Sequence, residues 1–514
     1  MANPRNECPE PEPRRTDSRL AVDYALRLRA AMARSVGAGA GPGPPCGALQ
    51  TRHPALEWAR SGAMALTGAR NGPPRLAPGH LAACCEGAAL ALRDLSPTLW
   101  PADFDAPALL GERAAIAGLE RRGATSPGGS CRFVKCADGW IAVNLARPDD
   151  LDLLPAWLSE GDWSDPVHSD VWQAVARAAR QSTADSLVAR AQLLGLPAAR
   201  AQNTQNGGQA RRDKDTHWCH TTPCGRPRQR RPGDRPLVVD LSSLWAGPLC
   251  SQLLSLTGAR VIKVESPSRP DGARFGPAAF FDLMNAGKQS LVLDLACPRG
   301  RQALRSLLAA ADIVVESSRP RALKQLGIEA EASLRQTPGQ VWLSITGYGR
   351  SSPEADWVAL GDDAAVAAGL TLCDLPASSV DSAATGSPPT GGTDWAGAAP
   401  LFCGDAIADP LTGLHGAVAA LASWKAGGGV LLDVALRNVV AHTLAFGPPP
   451  RPASVSAVFP ASTPRDASPE PLWEVTADGV RQRVLPPRAR LCREPARPLG
   501  ADTNELLREF AARC

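Results

Sequence analysis

Tyrosine and methionine are scarce in this chain, whose 514 residues include 2 Tyr and 4 Met. Aliphatic residues compensate for them, because apolar residues still make up 44% of the chain, as in ordinary globular proteins. No run of 18 apolar residues occurs, so we predict no transmembrane helix. The first residues, MANPRNECPEPEPRRTDSR, contain no apolar segment, and we therefore expect no secretory signal.

Excess charge is also lacking, since the formal net charge is only +4. Such a balance does not favour nucleic acid or a membrane surface as a partner. The 14 cysteines are scattered without the spacing of a disulfide scaffold, which indicates reduced thiols and a cytoplasmic location. Cys219, His220 and Cys224 lie close together, but no second ligand pair follows at zinc-finger spacing, and we expect no metal.

The length indicates several domains, and changes in composition suggest where they meet. Residues 200–235 are polar, basic and nearly free of aliphatic side chains, which is typical of a flexible linker. The predicted division is a mostly disordered or helical N-terminal extension (1–50), a first region with a small α+β domain (51–199), the linker (200–235), a nucleotide-fold domain (236–445) and a C-terminal segment (446–514).

Strands alternate with helices from residue 236 onward. PLVVDLSSL, ARVIKVES, SLVLDL, DIVVES and QVWLSITGYG are typical of buried strands, and apolar helical patterns separate them. This alternation predicts an α/β fold with a doubly wound, parallel, Rossmann-like sheet, whose ligands bind beyond the carboxyl ends of the strands. In the first half, CRFVKCADGWIAVNL (131–145) predicts a hairpin around Asp138-Gly139.

Two common nucleotide motifs are missing from this layout. No G-x-G-x-x-G follows the first strand, and no G-x-x-x-x-G-K-[ST] occurs. A nicotinamide-dependent or nucleoside-triphosphate enzyme is therefore not favoured.

The stretch FCGDAIADPLTGLHGAVAAL (402–421) contains two aspartates next to a predicted helix. From the residues alone, Asp409 before Pro410 is most simply a helix N-cap, and Asp405 a loop or turn residue. A carboxylate at a helix start is also held in its ionised form by about 0.3–1 kcal/mol. Capping and a nucleophilic role are therefore compatible at Asp409.

Four segments occur in order over residues 236–350: VVDLSSLWAGPLCSQLLSLTGARVIKVESP, NAGKQSLVLDL, ADIVVESSRPRALKQLGI and LSITGYG. Together they resemble the family III CoA-transferases of the formyl-CoA and carnitine-CoA-transferase type. In that family the nucleophilic aspartate lies in a pattern like A-D-x-x-[TS]-G at a helix start. The matching text here is ADPLTG, so the resemblance implies that Asp409 is the nucleophile.

The first half resembles a different portion of the same family. SGAMALTGARNGPPRLAPGHLAACCEGAALAL (61–92) is similar to the region leading into the aspartate helix, with Ala83 at the position of the nucleophile. SPGGSCRFVKCADGWIAVNLARPDD (126–150) is similar to the glycine loop and small domain. We interpret the chain as two incomplete copies fused. Because family members form interlocked dimers, the resemblance implies a homodimer or an intrachain pseudo-dimer.

The activity implied by the resemblance is transfer of CoA between an acyl-CoA thioester and a carboxylic acid through an aspartyl–acyl anhydride. Coenzyme A is then part of a substrate. The glycine loop would stabilise the oxyanion, and the turns after the first strand and before the third would bind CoA. The residues implied for these roles are Gly128 and Gly129 in the loop, and Leu244, Trp245, Ala246, Asn285 and Lys288 for CoA.

Two alternatives stay open. Related α-methylacyl-CoA racemases carry a His-Asp pair where this chain has Asp362 and Asp363, and α-proton transfer needs two positioned acid/base groups. The missing histidine makes a racemase less favoured. The rearranged halves also fit a non-catalytic protein that binds CoA thioesters or a related partner.

Overall fold

A computed structural model describes residues 18–35, 52–158, 171–202, 217–373, 399–459 and 471–511. The fold is mixed α/β, with one large, mostly parallel sheet and smaller antiparallel sheets. The helices are α1 (Arg19–Ser35), α2 (Pro54–Arg60), α3 (Leu81–Leu95), α4 (Glu112–Ala117), α5 (Asp149–Asp152), α6 (Leu154–Leu158), α7 (Val171–Ala179), α8 (Ala184–Leu194), α9 (Ala246–Leu256), α10 (Ala278–Asn285), α11 (Pro298–Ala310), α12 (Pro320–Gln325), α13 (Ala330–Gln336), α14 (Gly361–Ala367), α15 (Ala408–Lys425), α16 (Leu436–Leu444) and α17 (Thr503–Ala511).

Short 3₁₀ helices occur at Met64–Leu66, Ala106–Gly111, Gly272–Phe275 and Glu354–Asp356. The strands are β1 (Cys131–Cys136), β2 (Gly139–Asn144), β3 (Ala198–Arg200), β4 (Cys219–Pro223), β5 (Leu237–Asp240), β6 (Arg260–Glu265), β7 (Gln289–Val292), β8 (Ile313–Glu316), β9 (Val341–Thr346), β10 (Leu372–Cys373), β11 (Pro400–Leu401), β12 (Val430–Ala435), β13 (Ser454–Val458), β14 (Leu472–Ala477) and β15 (Val480–Arg483).

The large sheet has the strand order β4-β12-β9-β8-β5-β6-β7, and all its neighbours are parallel except β4, which runs antiparallel to β12. Its strands are apolar and buried, as the continuous aliphatic runs predicted. Helices α9 and α15 pack on one face of the sheet, and α11, α13 and α17 on the other. The predicted parallel α/β sheet is therefore confirmed.

Close helix packing holds the aspartate helix α15 in place. A Cβ at Gly413 would lie 2.7 Å from the carbonyl oxygen of Ala246, so this glycine lets α15 approach the start of α9. Helix α3 packs on α15 and α1 packs on α3. The Tyr24 hydroxyl lies 2.7 Å from His415 Nε2 in the core, which ties α1 to α15.

The smaller sheets flank this core. The predicted hairpin is present, since β1 and β2 pair antiparallel around the Asp138-Gly139 turn, and β3 extends them to three strands. Strands β10 and β11 form a two-stranded sheet, and β13, β14 and β15 form a three-stranded one in the C-terminal segment.

Two regions differ from the expected division. Part of the predicted linker is folded, because Cys219–Pro223 pairs with β12 as the outer strand of the large sheet. Polar threonines are tolerated there because much of an edge strand faces solvent, and the periodicity of buried strands is therefore missing. Residues 203–216 of the predicted linker lie outside the described residues. In the N-terminal extension, α1 is not peripheral, since Tyr24, Ala25 and Leu28 are fully buried.

Three further predictions can be compared with the structure, over the described residues alone. Within those ranges, no helix is both long and apolar enough to cross a bilayer. The cysteines there are free thiols. No group of three or more His, Cys, Asp or Glu side chains in the described residues has the arrangement of a metal site.

Candidate functional site

Asp409 is the second residue of α15, after Ala408. The N-cap position belongs to Ile407, and no side chain caps this helix. Asp409 is therefore not the N-cap that the residues alone suggest. Its carboxylate instead accepts a hydrogen bond from the backbone N–H of Ala246, at the start of α9.

An arginine from the first half of the chain lies among the carboxylates around Asp409. Arg113, in α4, binds Asp405 through two hydrogen bonds, Nε to Oδ2 at 2.8 Å and Nη2 to Oδ1 at 2.5 Å. The Asp362 Oδ1 accepts from the backbone N–H of Ala406 at 2.8 Å, so α14 is tied to the same loop. Asp405 is thus a loop residue, as predicted, and also the buried half of an ion pair whose arginine is partly exposed.

Solvent access separates Asp409 from its neighbours. Asp362, Asp363 and Asp405 are buried, whereas Asp409 keeps partial exposure. Asp409 is therefore the most solvent-accessible of these four residues.

Burial controls the ionisation of these groups. It raises the pKa of Asp409 to about 7, with Arg113 opposing the shift and Asp362 adding to it. Burial and the neighbouring Asp405 raise the pKa of Asp362 to about 6. The pKa of Asp363 rises to about 8 through burial, although the Leu360 N–H and the Asn144 amide donate to it. The helix start alone therefore does not keep Asp409 fully ionised, and Arg113 and the Ala246 amide supply part of that effect.

A glycine borders one of the Asp409 carboxylate oxygens. A Cβ at Gly361 would collide with the Asp409 Oδ2 and would lie 2.5 Å from the Ala406 carbonyl oxygen. Gly361 is the first residue of α14. The missing side chain leaves the space that the Asp409 carboxylate occupies.

The SPGGS loop of the first half reaches this cluster. The buried Ser126 hydroxyl donates to Asp362 and accepts from the Cys131 N–H at 3.3 Å. A Cβ at Gly128 would lie 3.0 Å from Arg113 Nη2, so the loop lies directly against the guanidinium. The Gly129 N–H donates to the Ser126 carbonyl at 2.8 Å and closes the turn. Of the two glycines predicted to stabilise the oxyanion, Gly129 thus already uses its N–H within the turn.

The residues predicted to bind CoA after the first strand lie beside Asp409. Leu244 has a φ of 72° and donates its N–H to Asp271 Oδ1 at 2.9 Å. The buried Trp245 ring lies 5.5 Å from the Arg113 guanidinium carbon, and Ala246 donates to Asp409. This part of the predicted site therefore comes together.

The other predicted CoA residues are directed into the domain. Lys288 Nζ lies 3.0 Å from Asp240 Oδ2, 2.7 Å from Ser251 Oγ and 3.0 Å from Asn285 Oδ1. Its side chain is 1% exposed, and burial lowers its pKa to about 8 against the opposing charge of Asp240. A phosphate contact would require Nζ to leave these acceptors, so the geometry favours a structural role for both residues.

Exposed arginines gather at the carboxyl edge of the sheet instead. Arg319 follows β8 and Arg269 follows β6, and the carboxyl ends of parallel strands share one edge. Partial burial and the charges of Arg321, Arg147 and Arg269 lower the pKa of Arg319, so these cations lie close together. Arg147 comes from the first half of the chain, immediately after β2.

Ala83, which the resemblance aligns with the predicted nucleophile, is enclosed by the core. Ala83 is 1% exposed inside the core, where α3 packs between α1 and α15. A Cβ at Gly87, one turn further on, would lie 2.9 Å from the Tyr24 Cβ, so α1 covers this helix closely.

Sequence reasoning did not single out Arg113, which lies in the carboxylate cluster around Asp409. It lies in ALLGERAAIAG, which contains no recognisable motif, and its partner Asp405 is 292 positions away. A charged residue in an otherwise alanine-rich stretch is the one weak signal that the sequence contained.

Comparison with known proteins gives this geometry a context. The model of CoA-transferase family III matches residues 236–450. Succinate–glutarate CoA-transferase of Agrobacterium fabrum is 31% identical over 236 residues, covering 43% of this chain and 54% of the relative. Acetyl-CoA:oxalate CoA-transferase of Acetobacter aceti is 32% identical over 202 residues, covering 37% and 48%.

A racemase also matches part of the same region. The alpha-methylacyl-CoA racemase of Homo sapiens is 38% identical over 115 residues, covering 22% of this chain and 28% of the relative. The chain thus spans about half, or less, of the length of these curated relatives. Residues 236–450, which contain Asp409 and most of the large sheet, are thus similar to CoA-transferase family III.

Proposed function

We propose that this protein transfers CoA from an acyl-CoA thioester to a carboxylic acid, with Asp409 as the nucleophile. The observation that carries the proposal is the position of Asp409, a partly exposed residue in the first turn of α15, next to the start of α9 and among buried carboxylates. The relatives named as CoA-transferases support the same reaction class.

The reaction divides into two similar halves. An Asp409 oxygen attacks the thioester carbonyl carbon, the C–S bond breaks, and CoA leaves as a thiolate, which forms an aspartyl–acyl anhydride. The thiolate then attacks the aspartyl carbonyl and releases the donor acid. The acceptor carboxylate attacks the resulting aspartyl-CoA thioester, and the first steps run in reverse. Backbone amides beside Asp409 stabilise the tetrahedral oxyanions.

The two halves of the chain contribute to one site in this proposal. The second half supplies Asp409, and the first half supplies Arg113 and the loop around Gly128. We infer an intrachain pseudo-dimer of two incomplete copies, in which the buried Ala83 position has lost its chemical role. A cytoplasmic location and a homodimer stay predictions from cysteine usage and from the family.

The anionic nucleotide part of CoA would occupy the carboxyl edge of the sheet. Arg269 and Arg319 follow two strands of the second half at this edge, and Arg147, whose guanidinium pairs with Asp150, lies near Arg319 from the first. Electrostatic attraction of its phosphates by clustered arginines is a favourable interaction.

Trapping of the enzyme-bound intermediate tests the nucleophile. After incubation with a panel of acyl-CoA thioesters, hydroxylamine should convert Asp409 to a hydroxamate, and borohydride should reduce an aspartyl thioester to homoserine. Peptide mass spectrometry should find either product at Asp409 in the natural protein and neither in D409N. No modification of Asp409 with any donor would contradict the proposal, and unchanged thioester binding would then favour the non-catalytic alternative.

A racemase-like reaction is a second candidate: the missing histidine counts against it, but Asp362 supplies a second carboxyl at that position. This residue lies at the position where related racemases carry histidine, and its charge raises the pKa of Asp409. Two carboxyls with pKa values of about 6 and 7 can act as the acid and the base of an α-proton transfer. Incubation of a 2-methylacyl-CoA in D₂O without an acceptor acid separates the candidates, because α-deuterium appears only if the proton transfer occurs.

A further inference from the structure

We propose that the ion pair between Arg113 and Asp405 is a positioning device that sets the ionisation of Asp409. This inference rests on the proposed function of Asp409. The pair spans the two halves of the chain, so the first half would control the nucleophile without contributing a nucleophile of its own.

The geometry gives Arg113 a fixed place. Two hydrogen bonds hold its guanidinium in the plane of the Asp405 carboxylate. The Trp245 ring lies 5.5 Å away, and Gly128 covers Nη2. A guanidinium held on three sides cannot swing to another partner, so its charge acts on Asp409 from a constant position.

Groups from four elements face Asp409. Arg113 comes from α4, Asp362 from α14, Asp405 from the loop before α15, and the Ala246 N–H from α9. Arg113 and the Ala246 amide stabilise the ionised form of Asp409, whereas burial and the two other carboxylates favour the protonated form. Asp405 neutralises much of the Arg113 charge, so removing either partner should change the ionisation of Asp409 in opposite directions.

The experiment is a double-mutant cycle read as a pH profile. Substitution R113M should move the acid limb of the pH–rate profile for CoA transfer to higher pH by about 1 unit or more. A nearby opposite charge shifts the pKa of a carboxyl by this amount. This change amounts to a loss of about tenfold at a pH below the limb. Substitution D405N should move the limb down, because the Arg113 charge is then uncompensated. The double variant R113M/D405N should return the limb close to its natural position.

A matched control lies on the same short helix. Glu112 is fully buried and forms a bidentate pair with Arg490, at 2.5 and 3.0 Å, but this pair does not face Asp409. The double substitution E112Q/R490M should therefore leave the acid limb of the pH–rate profile unchanged, even if it lowers the free energy of unfolding. Because R113M can fail to fold, R113K serves as a second variant, and it should keep the limb because it keeps the charge.

The outcomes separate this proposal from the proposed function. If the acid limb stays in place in R113M, D405N and the double variant, the positioning role is overturned even when transfer is active. If the natural protein transfers no CoA, the ionisation of Asp409 can still be read from its rate of carbodiimide labelling against pH, quantified by mass spectrometry. Opposite shifts of the labelling profile in the two single variants would support the positioning role, and coincident profiles would overturn it.

Discussion

The Cα of Gly361 lies against the Asp409 carboxylate so closely that no side chain fits between them. The first residue of α14 therefore limits one side of the space around the Asp409 carboxylate. The other nearby atoms belong to the Ala406 backbone and Cβ, which cannot rotate away as a flexible side chain would.

Substitution G361A should consequently displace Asp409 and lower the rate of CoA transfer by at least about 100-fold, since a misplacement of about 1 Å costs this much. The rate should be measured with saturating acyl-CoA, alongside circular dichroism to verify folding. Gly276 provides the control, because a Cβ there would meet its nearest neighbour at 3.6 Å. Equal activity of G361A and G276A would contradict the prediction.

Asp363 should make the protein less stable as the pH rises. Its pKa is about 8 in the folded state and 3.8 in the unfolded chain, so the folded state binds the proton more tightly. The resulting stabilisation of the folded state is complete at pH values below the unfolded-state pKa of 3.8, and it is lost as the pH rises through about 8. Each pKa unit of difference is worth about 1.4 kcal/mol.

Substitution D363N should therefore flatten this pH dependence and raise the free energy of unfolding above pH 8, since an amide oxygen can still accept from the Leu360 N–H. Urea denaturation at several pH values measures the effect. The exposed Asp152 offers a control, because D152N should leave the pH dependence unchanged.

Lys288 should matter for stability more than for CoA affinity. Substitution K288M leaves the buried Asp240 without this partner, and breaking a buried pair costs about 3–5 kcal/mol. Denaturant unfolding should show this loss, whereas K324M, at an exposed position, should change the free energy of unfolding by less than about 0.5 kcal/mol. A K288M protein of natural stability but greatly weakened CoA binding would instead favour the phosphate contact.

Arg319 should strengthen the binding of acyl-CoA without acting on the chemical step. Substitution R319A should raise the KM for acyl-CoA by about three- to tenfold at low ionic strength and leave kcat unchanged, because it removes one cation from an exposed cluster. The difference should shrink at high salt. Substitution R335A, which removes an exposed arginine from α13, is the matched control and should leave KM unchanged.

The large parallel sheet followed from local patterns. Continuous aliphatic runs marked the parallel strands because both faces of those strands are buried. The nucleophilic role of Asp409 rests on the resemblance of ADPLTG and stays a prediction. Strand β4 escaped prediction because an edge strand needs no apolar alternation. The ion pair of Arg113 and Asp405 was not predicted because it arises from a contact between distant segments. The inward orientation of Lys288 was not predicted because a sequence motif does not give the direction of a side chain.

The distances in sequence between interacting residues have a consequence for biosynthesis. Tyr24 meets His415 across 391 positions, and Arg113 meets Asp405 across 292. A nascent chain therefore cannot form these contacts until most of the polypeptide has left the ribosome. The early helices α1 and α3 can pack on each other, but the apolar surface that contacts α15 stays uncovered until α15 is made, and such exposed intermediates fold slowly and aggregate readily. We therefore expect the protein to need chaperones during synthesis, because its contacts join segments that are far apart in the sequence.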